Sequence, residues 1–340
     1  MEQLYLVTGA CGHLGNTIVK ELVRQGKHVR GLILPRQSTA ALEGVDVELM
    51  DGDISYLPSL NPFFTAPGKE LIVIHTAGIV SIASKFQQKV YDVNFTGTKN
   101  VIAMCLKHHV KKLIYTSSVH AIAEPAPGQI ISEVSQFHPE KVVGLYAQTK
   151  AAAAQLVLDS TAEGLFAIVV HPSGIIGPSD YGSGHLTQLI MDYLDGRLTA
   201  CVRGGYDFVD VRDVASGIVA AVEKGRSGEC YILSGTYCEI SHMLQLLHEI
   251  SGRQEIKTIL PAWFANLTAP LAEFYYKLLK QPPLYTKYSL YTLGANGHFS
   301  NRKAREELGY TSRPLIETLT DTVTWLSNHR RIKPLPRMMH

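Results

Sequence analysis

No stretch of this sequence approaches the roughly 18 apolar residues that a membrane-spanning helix needs, and the residues after Met1 show no signal-peptide pattern. Cysteine is scarce as well, because the five present are scattered and never spaced as Cys-x-x-Cys. Neither sign of charge dominates: 32 basic residues nearly balance 30 acidic ones, which gives no strong field for nucleic acid or acidic lipid. We therefore expect a soluble, cytoplasmic protein with reduced thiols, no nucleic-acid partner and no transmembrane segment.

Spacings that would suit a metal ion are missing too. His108 and His109 are adjacent on a predicted helix and so face different directions. No His-Glu-x-x-His motif and no paired Cys and His spacing occurs. We therefore expect no metal centre and assign no metal ligand.

What the sequence does contain is an alternation of short β-rich runs with helical patterns across its first half. This alternation predicts a parallel sheet covered by helices on both faces. Right-handed crossovers then make it a Rossmann-type, doubly wound α/β fold. The predicted strands are Leu4–Thr8, Val29–Leu34, Val47–Met50, Leu71–His75, Lys112–Thr116 and Phe166–Val170. The predicted helices are His13–Gln25, Val90–His108 and Gly144–Glu163.

The alternation of predicted strands and helices becomes less regular after His171 and Pro172, where a smaller C-terminal substrate lobe is expected to begin. Residues 1–171 are assigned to a dinucleotide-binding domain, to which the chain returns at about 207–234 with a strand and helix in Asp207–Lys224 and a strand at Cys230–Leu233. Residues 172–206, which include a predicted helix at Leu186–Leu194, and residues 235–330 are assigned to the substrate lobe. The remaining residues, 331–340, are expected to form a tail.

The first predicted strand ends in a glycine-rich turn, and the first helix follows directly. The turn reads Thr8-Gly9-Ala10-Cys11-Gly12-His13-Leu14-Gly15. Glycine suits this place because larger side chains would keep backbone amides and the helix N-terminus away from a pyrophosphate. We therefore predict that the cofactor phosphates bind at Gly9, Cys11, Gly12, His13, Leu14 and Gly15.

The end of the second strand usually distinguishes NAD from NADP, since an acidic residue there binds the ribose hydroxyls and a basic residue accepts a 2′-phosphate. This chain has no acidic residue there, and Arg36 follows shortly afterwards. NADP is therefore slightly favoured over NAD, with Arg36 as the phosphate partner; a solvated surface arginine is the alternative. Asp53 and Ile54, after the third strand, are predicted to bind the adenine, although Asp53 would also suit a helix N-cap.

Tyr146 and Lys150 lie four residues apart in a helical pattern, so their side chains share one face. A phenol is a poor acid or base at neutral pH, and a nearby ammonium would stabilise its phenolate. The fifth strand ends in Tyr115-Thr116-Ser117-Ser118, at the sheet edge where ligands lie in such folds. A serine there could bind a carbonyl or alcohol oxygen beside the phenol, or merely cap the next segment.

The order of these motifs along nearly the whole chain resembles the extended short-chain dehydrogenases/reductases. The resemblance implies that Ser118 is the catalytic serine, Tyr146 the acid-base residue, and Lys150 the group that lowers its pKa and holds the nicotinamide ribose. It also implies that Asn94 supports the catalytic site and that further segments line the cofactor. The matching segments are Thr8–Gly15, His75–Gly78 with Thr76, Ala77 and Gly78, Asp92–Thr98, Tyr115–Ser118, Tyr146–Lys150, His171–Pro178 with Pro172 and Ser173, and Phe208–Val214.

Within that family, the segments Gly297–Ala304 and Glu307–Tyr310 are similar to dihydroflavonol-4-reductase-like and 3β-hydroxysteroid-dehydrogenase-like members. Those members act on alcohol or ketone groups of bulky, rather apolar molecules, and family members often form homodimers. Two positions depart from the pattern. Leu34 stands where many NADP-using relatives carry arginine, and His75 or Thr76 replaces an asparagine that often begins the cofactor-lining turn.

The leading hypothesis is reversible oxidation of a secondary alcohol on an apolar substrate, with NAD or NADP as hydride carrier. One alternative is a nucleotide-sugar epimerase or dehydratase with tightly bound NAD, and another is a non-catalytic NAD(P)-sensing protein. The segment Pro261–Lys280 is rich in large apolar side chains. It is interpreted as a substrate wall, a membrane-surface patch, or packing against the lobe or a partner subunit.

Overall fold

The computed structural model describes residues 2–126, 128–261 and 286–335. The strands are β1 Glu2–Thr8, β2 His28–Ile33, β3 Glu48–Asp51, β4 Lys69–His75, β5 Lys112–Thr116, β6 Ala167–Pro172, β7 Gly174–Ile176, β8 Cys201–Val202, β9 Gly205–Asp210, β10 Cys230–Leu233, β11 Thr236–Glu239 and β12 Ile259–Leu260. The helices are α1 His13–Arg24, α2 Asn61–Phe64, α3 Gln88–Tyr91, α4 Gly97–Lys107, α5 Leu145–Asp159, α6 His185–Leu194, α7 Val211–Lys224, α8 Ile240–Ser251, α9 Lys287–Gly294 and α10 Leu315–Asn328.

Seven strands form one sheet in the order β10-β6-β5-β4-β1-β2-β3, and each neighbouring pair is parallel. The chain builds outward from β1 through β2 and β3, and then crosses to β4 and builds in the other direction. Thr8 and His75 stand side by side at the carboxyl ends of β1 and β4, where the order reverses. This sheet confirms the predicted Rossmann-type fold and places the glycine turn at the reversal point, where such folds bind ligands.

Both faces of the large sheet are buried, as a parallel sheet requires. Leu6 and Val73 belong to the apolar core on one face, and Val7 and Ile74 belong to the core on the other. All four side chains are fully buried. Alternate residues of each strand thus enter opposite cores, which explains the continuous apolar runs in the sequence.

A smaller, three-stranded sheet contains β7, β9 and β11, with β9 parallel to β7 and antiparallel to β11. Two strands were expected in the return to the nucleotide-binding domain. Of these, β10 joins the large sheet beside β6, whereas β9 pairs with β7 and β11 in this small sheet. The following helix, α7, does pack on the large sheet, with Val214 and Ile218 in the same core as Val7. The division into two lobes remains a prediction.

The predicted helix Val90–His108 is interrupted. A π-helical turn, Asp92–Thr96, separates α3 from α4. Such turns insert an extra residue into a helix and are frequent at functional sites.

The strand Lys112–Thr116 begins and ends at the residues predicted from the sequence.

Three other features bear on the sequence-based expectations. The five cysteines are all buried and free of disulfide bonds. In the described ranges, no helix is both long enough and apolar enough to cross a membrane. All of Pro261–Lys280 beyond Pro261 itself lies outside the described residues.

Candidate active site

The glycine turn holds its shape by close backbone contacts. Gly9 has a positive φ of 69°, and its carbonyl accepts a hydrogen bond from the amide of Gly12 at 2.9 Å. A Cβ atom on Gly15 would overlap the Gly9 carbonyl oxygen and lie 2.8 Å from its carbon. The first turn of α1 therefore packs directly against the end of β1, and only glycine fits at Gly15 without a shift of the backbone.

The N-terminus of α1 is suited to a pyrophosphate. No side chain caps it at Gly12, and its first turn carries no acidic residue. A Cβ atom on Gly12 would meet a single described atom, the Gly9 carbonyl oxygen at 3.2 Å. The free backbone amides and the positive end of the helix dipole thus face an open approach, which fits a dinucleotide phosphate.

The loop after β4 is fastened to the end of β1. The Thr76 hydroxyl donates to the carbonyl of Thr8 at 2.7 Å, and the amide of Ala77 donates to the Thr8 hydroxyl at 3.2 Å. A Cβ atom on Gly78 would lie 3.4 Å from Nζ of Lys150. This loop therefore lies between the end of β1, where the glycine turn begins, and Lys150.

Asn94 fixes the same loop from the π-helical turn. Its side-chain oxygen accepts a hydrogen bond from the amide of Ile79 at 2.8 Å, and its amide group donates to the Ile79 carbonyl at 3.0 Å. The amide group also lies 3.3 Å from the hydroxyl of Thr149 on α5. Asn94 thus joins the loop to the helix that carries Tyr146 and Lys150.

Tyr146 and Ser118 are both buried. Burial raises the pKa of Tyr146, and a hydrogen bond with Ser118 acts in the opposite direction. Ser118 also caps the short turn that follows β5, where its hydroxyl accepts from the amide of His120 at 3.3 Å. The capping role of this serine is therefore confirmed, and its binding of a substrate oxygen stays a prediction.

Lys150 is buried and reaches the end of β5. Its ammonium donates a hydrogen bond to the carbonyl of Thr116 at 2.7 Å, and burial lowers the pKa of Lys150 to about 7. The predicted role of Lys150 in lowering the pKa of Tyr146 stays a prediction.

One cavity of about 860 Å³ brings most of the candidate residues together. The predicted cofactor residues in its lining are Gly9, Gly12, His13, Leu14, Gly15, Thr76, Gly78, Pro172 and Ser173, and the predicted catalytic residues are Ser118, Tyr146 and Lys150. Apolar side chains from several segments line the same cavity, among them Ile79, Ile122, Val142, Leu186, Leu198 and Leu290.

Other candidates lie outside this lining. Cys11 and Ile54 are buried in the cores, and Asn94 acts from behind the loop. Asp53 accepts hydrogen bonds from the backbone amide and hydroxyl of Ser55, at 2.8 and 2.7 Å, and so stabilises its own turn. Arg36 is exposed after β2. Ala77 contributes its backbone to the loop, as described above.

The cavity residues that were not predicted from the sequence include His120 and Tyr288. The imidazole of His120 lies edge-on to the ring of Tyr146, with the ring centres 6.4 Å apart. Tyr288, which belongs to α9, reaches the same cavity from far along the chain. The position of His120 two residues after Ser118 was a local signal for its proximity, whereas no local signal marks Tyr288.

Comparisons with known proteins agree with this geometry. A family model described as the NAD-dependent epimerase/dehydratase family matches residues 5–234. A protein of Methylococcus capsulatus named sterol demethylase protein B is 32% identical over 94% of this chain and 97% of its own length. A putative dihydroflavonol 4-reductase of Synechocystis is 29% identical over 98% of this chain and 97% of its own length.

Among solved structures, the crystal structure of gox2253 superposes with a TM-score of 0.84 at 30% sequence identity. The superposition covers 98% of this chain and all of the other. The sheet order, the glycine turn and these matches lead to one assignment. The chain belongs to the NAD-dependent epimerase/dehydratase family, within the extended short-chain dehydrogenases/reductases that its motifs resemble.

Proposed function

We propose that this protein is an NAD(P)-dependent oxidoreductase that interconverts a secondary alcohol and a ketone on a bulky, largely apolar molecule. The observation that carries the proposal is that Tyr146 and Ser118 line a single cavity together with the glycine turn and with apolar side chains from several segments. This arrangement suits a substrate whose carbinol carbon meets the cofactor while its apolar body fills the remaining space.

Each polar residue has a definable task in such a reaction. Tyr146 exchanges a proton with the substrate oxygen, and Ser118 holds that oxygen by a hydrogen bond. Lys150, whose pKa lies at about 7, can take up or release a proton next to the ribose. Asn94 keeps the Ile79 loop in place through its two backbone hydrogen bonds. When bound, the nicotinamide supplies or accepts the hydride.

The glycine turn and the open N-terminus of α1 would hold the cofactor phosphates. We also propose that NADP is preferred over NAD. Support comes from the end of β2, where Ile33 is followed by Leu34, Pro35 and Arg36 and no carboxylate is present to bind the ribose hydroxyls.

The apolar side chains that line the cavity support the substrate class, as do the relatives named for a sterol demethylase and a dihydroflavonol reductase. The competing candidate is a sugar-nucleotide epimerase or dehydratase, which the description of the family includes. Such a substrate carries a diphosphate, a group for which arginine and lysine side chains are favourable partners. Three lysine or arginine residues line the described cavity. Two of them are engaged, because Lys150 bonds to Thr116 and Arg197 pairs with Asp192 and Asp195.

A spectrophotometric screen tests the proposal. Hydroxysteroids, flavanonols and sugar nucleotides are each offered with NAD and NADP, and the absorbance of the reduced cofactor is followed. Turnover of an apolar alcohol or ketone is the expected result. Retained NAD with no net cofactor consumption during turnover of a sugar nucleotide would favour the epimerase instead.

The variant Tyr146→Phe tests the assignment of the proton donor. It removes the transferable proton and little binding surface, so turnover should fall at least ~100-fold while cofactor affinity stays close to that of the wild type. Tyr56→Phe, at a tyrosine that is 62% exposed, is the matched control. Equal losses of turnover and cofactor affinity would show that Tyr146 has a structural role.

A further inference from the structure

His171, the penultimate residue of β6, is fully buried directly behind Ser118. Its Nδ1 atom lies 3.0 Å from the backbone carbonyl oxygen of Ser118, and its ring stacks on that of Phe137 with the ring centres 5.2 Å apart. A carbonyl oxygen only accepts hydrogen bonds, so Nδ1 carries the proton of this bond. Burial lowers the pKa of His171 to about 4. His171 is therefore a neutral imidazole at physiological pH, and it donates from Nδ1 to the backbone of the serine.

The other ring nitrogen of His171 has no such contact. Nε2 is buried, and no described residue forms a hydrogen bond with it. A buried polar atom without a partner costs free energy, because its bonds to water are lost without replacement. A purely apolar ring at this position would avoid that cost. Among the described residues, the bond to Ser118 is thus what distinguishes His171 from an aromatic residue of the core.

This bond attaches the segment in which the chain leaves β5 to the neighbouring strand. The amide of Ser117 donates to the carbonyl of Val170 at 2.8 Å and so continues the ladder between β5 and β6. One residue further along both segments, the imidazole of His171 joins β6 to Ser118. The Ser118 carbonyl also accepts from the amide of Ala121 at 3.0 Å, but Ala121 belongs to the same short turn. The Ala121 bond therefore closes the turn, whereas the His171 bond fixes the turn to the sheet.

The position of the Ser118 backbone determines where its hydroxyl lies, because a serine side chain has only one torsion between Cα and the oxygen. That hydroxyl accepts from the amide of His120 at 3.3 Å, which is longer than a typical bond of this kind. Burial raises the pKa of Tyr146, and a hydrogen bond with Ser118 opposes that rise. A shift of the Ser118 backbone would therefore change the contact between the serine and the phenol.

We propose that His171 is a positioning residue: by holding the Ser118 carbonyl, it keeps the Ser118 hydroxyl aligned with Tyr146 and with the reacting oxygen of the substrate. The role rests on the part of the proposed function that assigns proton transfer to Tyr146 and Ser118. His171 itself touches neither the substrate nor the cofactor in this account.

Two substitutions at His171 separate alignment from packing. His171→Phe keeps an aromatic ring against Phe137 and removes the donor. The Ser118 carbonyl retains its bond from Ala121, so this variant should fold. His171→Asn places an amide nitrogen close to the position of Nδ1 and restores a donor, but it removes the ring. A packing role predicts lower activity in the Asn variant, whereas a positioning role predicts lower activity in the Phe variant.

The rate of hydride transfer in a single turnover is the measurement. The full-length protein is saturated with cofactor and with the hydroxysteroid, flavanonol or sugar nucleotide that the spectrophotometric screen shows to be turned over. In His171→Phe the rate should fall about 10-fold, the effect of one neutral hydrogen bond, with cofactor affinity unchanged. In His171→Asn the rate should be several-fold higher than in His171→Phe, although thermal melts should show the Asn variant to be the less stable of the two.

His248→Phe is the matched control. Nδ1 of His248 also bonds to a backbone carbonyl, that of Arg253, and neither residue lines the described cavity. Its loss should leave the rate of hydride transfer unchanged. Nitrogen NMR of isotope-labelled protein supplies a readout without turnover. The His171 ring, assigned by its absence from the spectrum of His171→Asn, should be neutral at about pH 7 with its proton on Nδ1. A proton on Nε2 at that pH would overturn the role of His171.

The contrary outcomes separate this role from the proposed function. If His171→Phe transfers hydride at the wild-type rate, or if His171→Asn is as slow as His171→Phe or slower, His171 is a packing residue and the proposed function stands. If a sugar nucleotide alone is turned over and the variants keep the expected order, the positioning role stands and the proposed substrate class is rejected. If no compound of the screen is turned over, both are rejected.

Discussion

The ammonium of Lys150 donates a hydrogen bond to the carbonyl of Thr116 at 2.7 Å, and both residues are buried. The nitrogen also lies 5.0 Å from the centre of the Tyr115 ring. No carboxylate pairs with it in the described ranges. A carbonyl and an aromatic face compensate only partly for the lost hydration of a cation, and for this reason burial lowers the pKa of Lys150 to about 7.

This lysine should reduce stability while supporting activity. A folded-state pKa of about 7 lies below the ordinary value for lysine, so the unfolded chain binds more protons and stability rises with pH between about 7 and 10.5. At pH 6.5 the free energy of unfolding of Lys150→Met, measured with urea, should therefore exceed that of the wild type by on the order of 3 kcal/mol. The difference between the two proteins should be smaller at pH 9.5. Turnover should fall at least ~100-fold. A Met variant that is less stable by the same amount at both pH values would contradict this account.

Gly12 and Gly15 should respond differently to the same substitution. The added methyl of Gly12→Ala meets only one described atom, so the melting temperature should stay within about 3 °C of wild type while cofactor affinity falls at least ~10-fold. In Gly15→Ala, better helix propensity would stabilise by ~1 kcal/mol. The overlap with Gly9 should outweigh this gain, so that Gly15→Ala is less stable than the wild type by about 1–3 kcal/mol. Cofactor titration and thermal melts on both variants check this; a stabilised Gly15→Ala would disprove the packing argument.

The sequence was informative where the signal was local. Each apolar run, like the glycine turn, is contained in a few consecutive residues. These signals predicted the large sheet and the position of α1. It was uninformative where contacts join distant segments. The π-helical turn around Asn94 is stabilised by hydrogen bonds to Ile79, and Tyr288 meets Gly144 across half the chain. The bond of Lys150 to Thr116 likewise depends on how α5 lies against β5.

Arg36 should control the choice between NADP and NAD. It is exposed, has a φ of 65°, and follows β2. Arg36→Glu would replace a phosphate partner with a carboxylate able to accept bonds from ribose hydroxyls. The ratio of kcat/KM for NADP to that for NAD should fall by roughly 10- to 100-fold. Arg330→Glu, at another exposed arginine with positive φ, is the control. An unchanged ratio in Arg36→Glu would show that Arg36 is a solvated surface residue.

His75 should make the protein sensitive to acid. It is fully buried between two threonines, with Nδ1 2.7 Å from the Thr8 hydroxyl and Nε2 3.1 Å from the Thr98 hydroxyl. Burial, with a smaller contribution from the charge of Lys150, lowers the pKa of His75 to about 3. The folded protein therefore keeps this imidazole neutral, whereas the unfolded chain protonates it below about pH 6.5.

The unfolded state accordingly binds more protons between about pH 6.5 and 3, so stability falls as the pH is lowered through that window. From pH 7 to pH 5 the loss attributable to His75 is about 2 kcal/mol. In His75→Gln that part of the loss should disappear, even if the variant is less stable overall. Urea unfolding at both pH values measures the difference, with His28→Gln at an exposed histidine as the control. If His75→Gln loses as much stability as the wild type over this interval, the acid sensitivity originates in other residues.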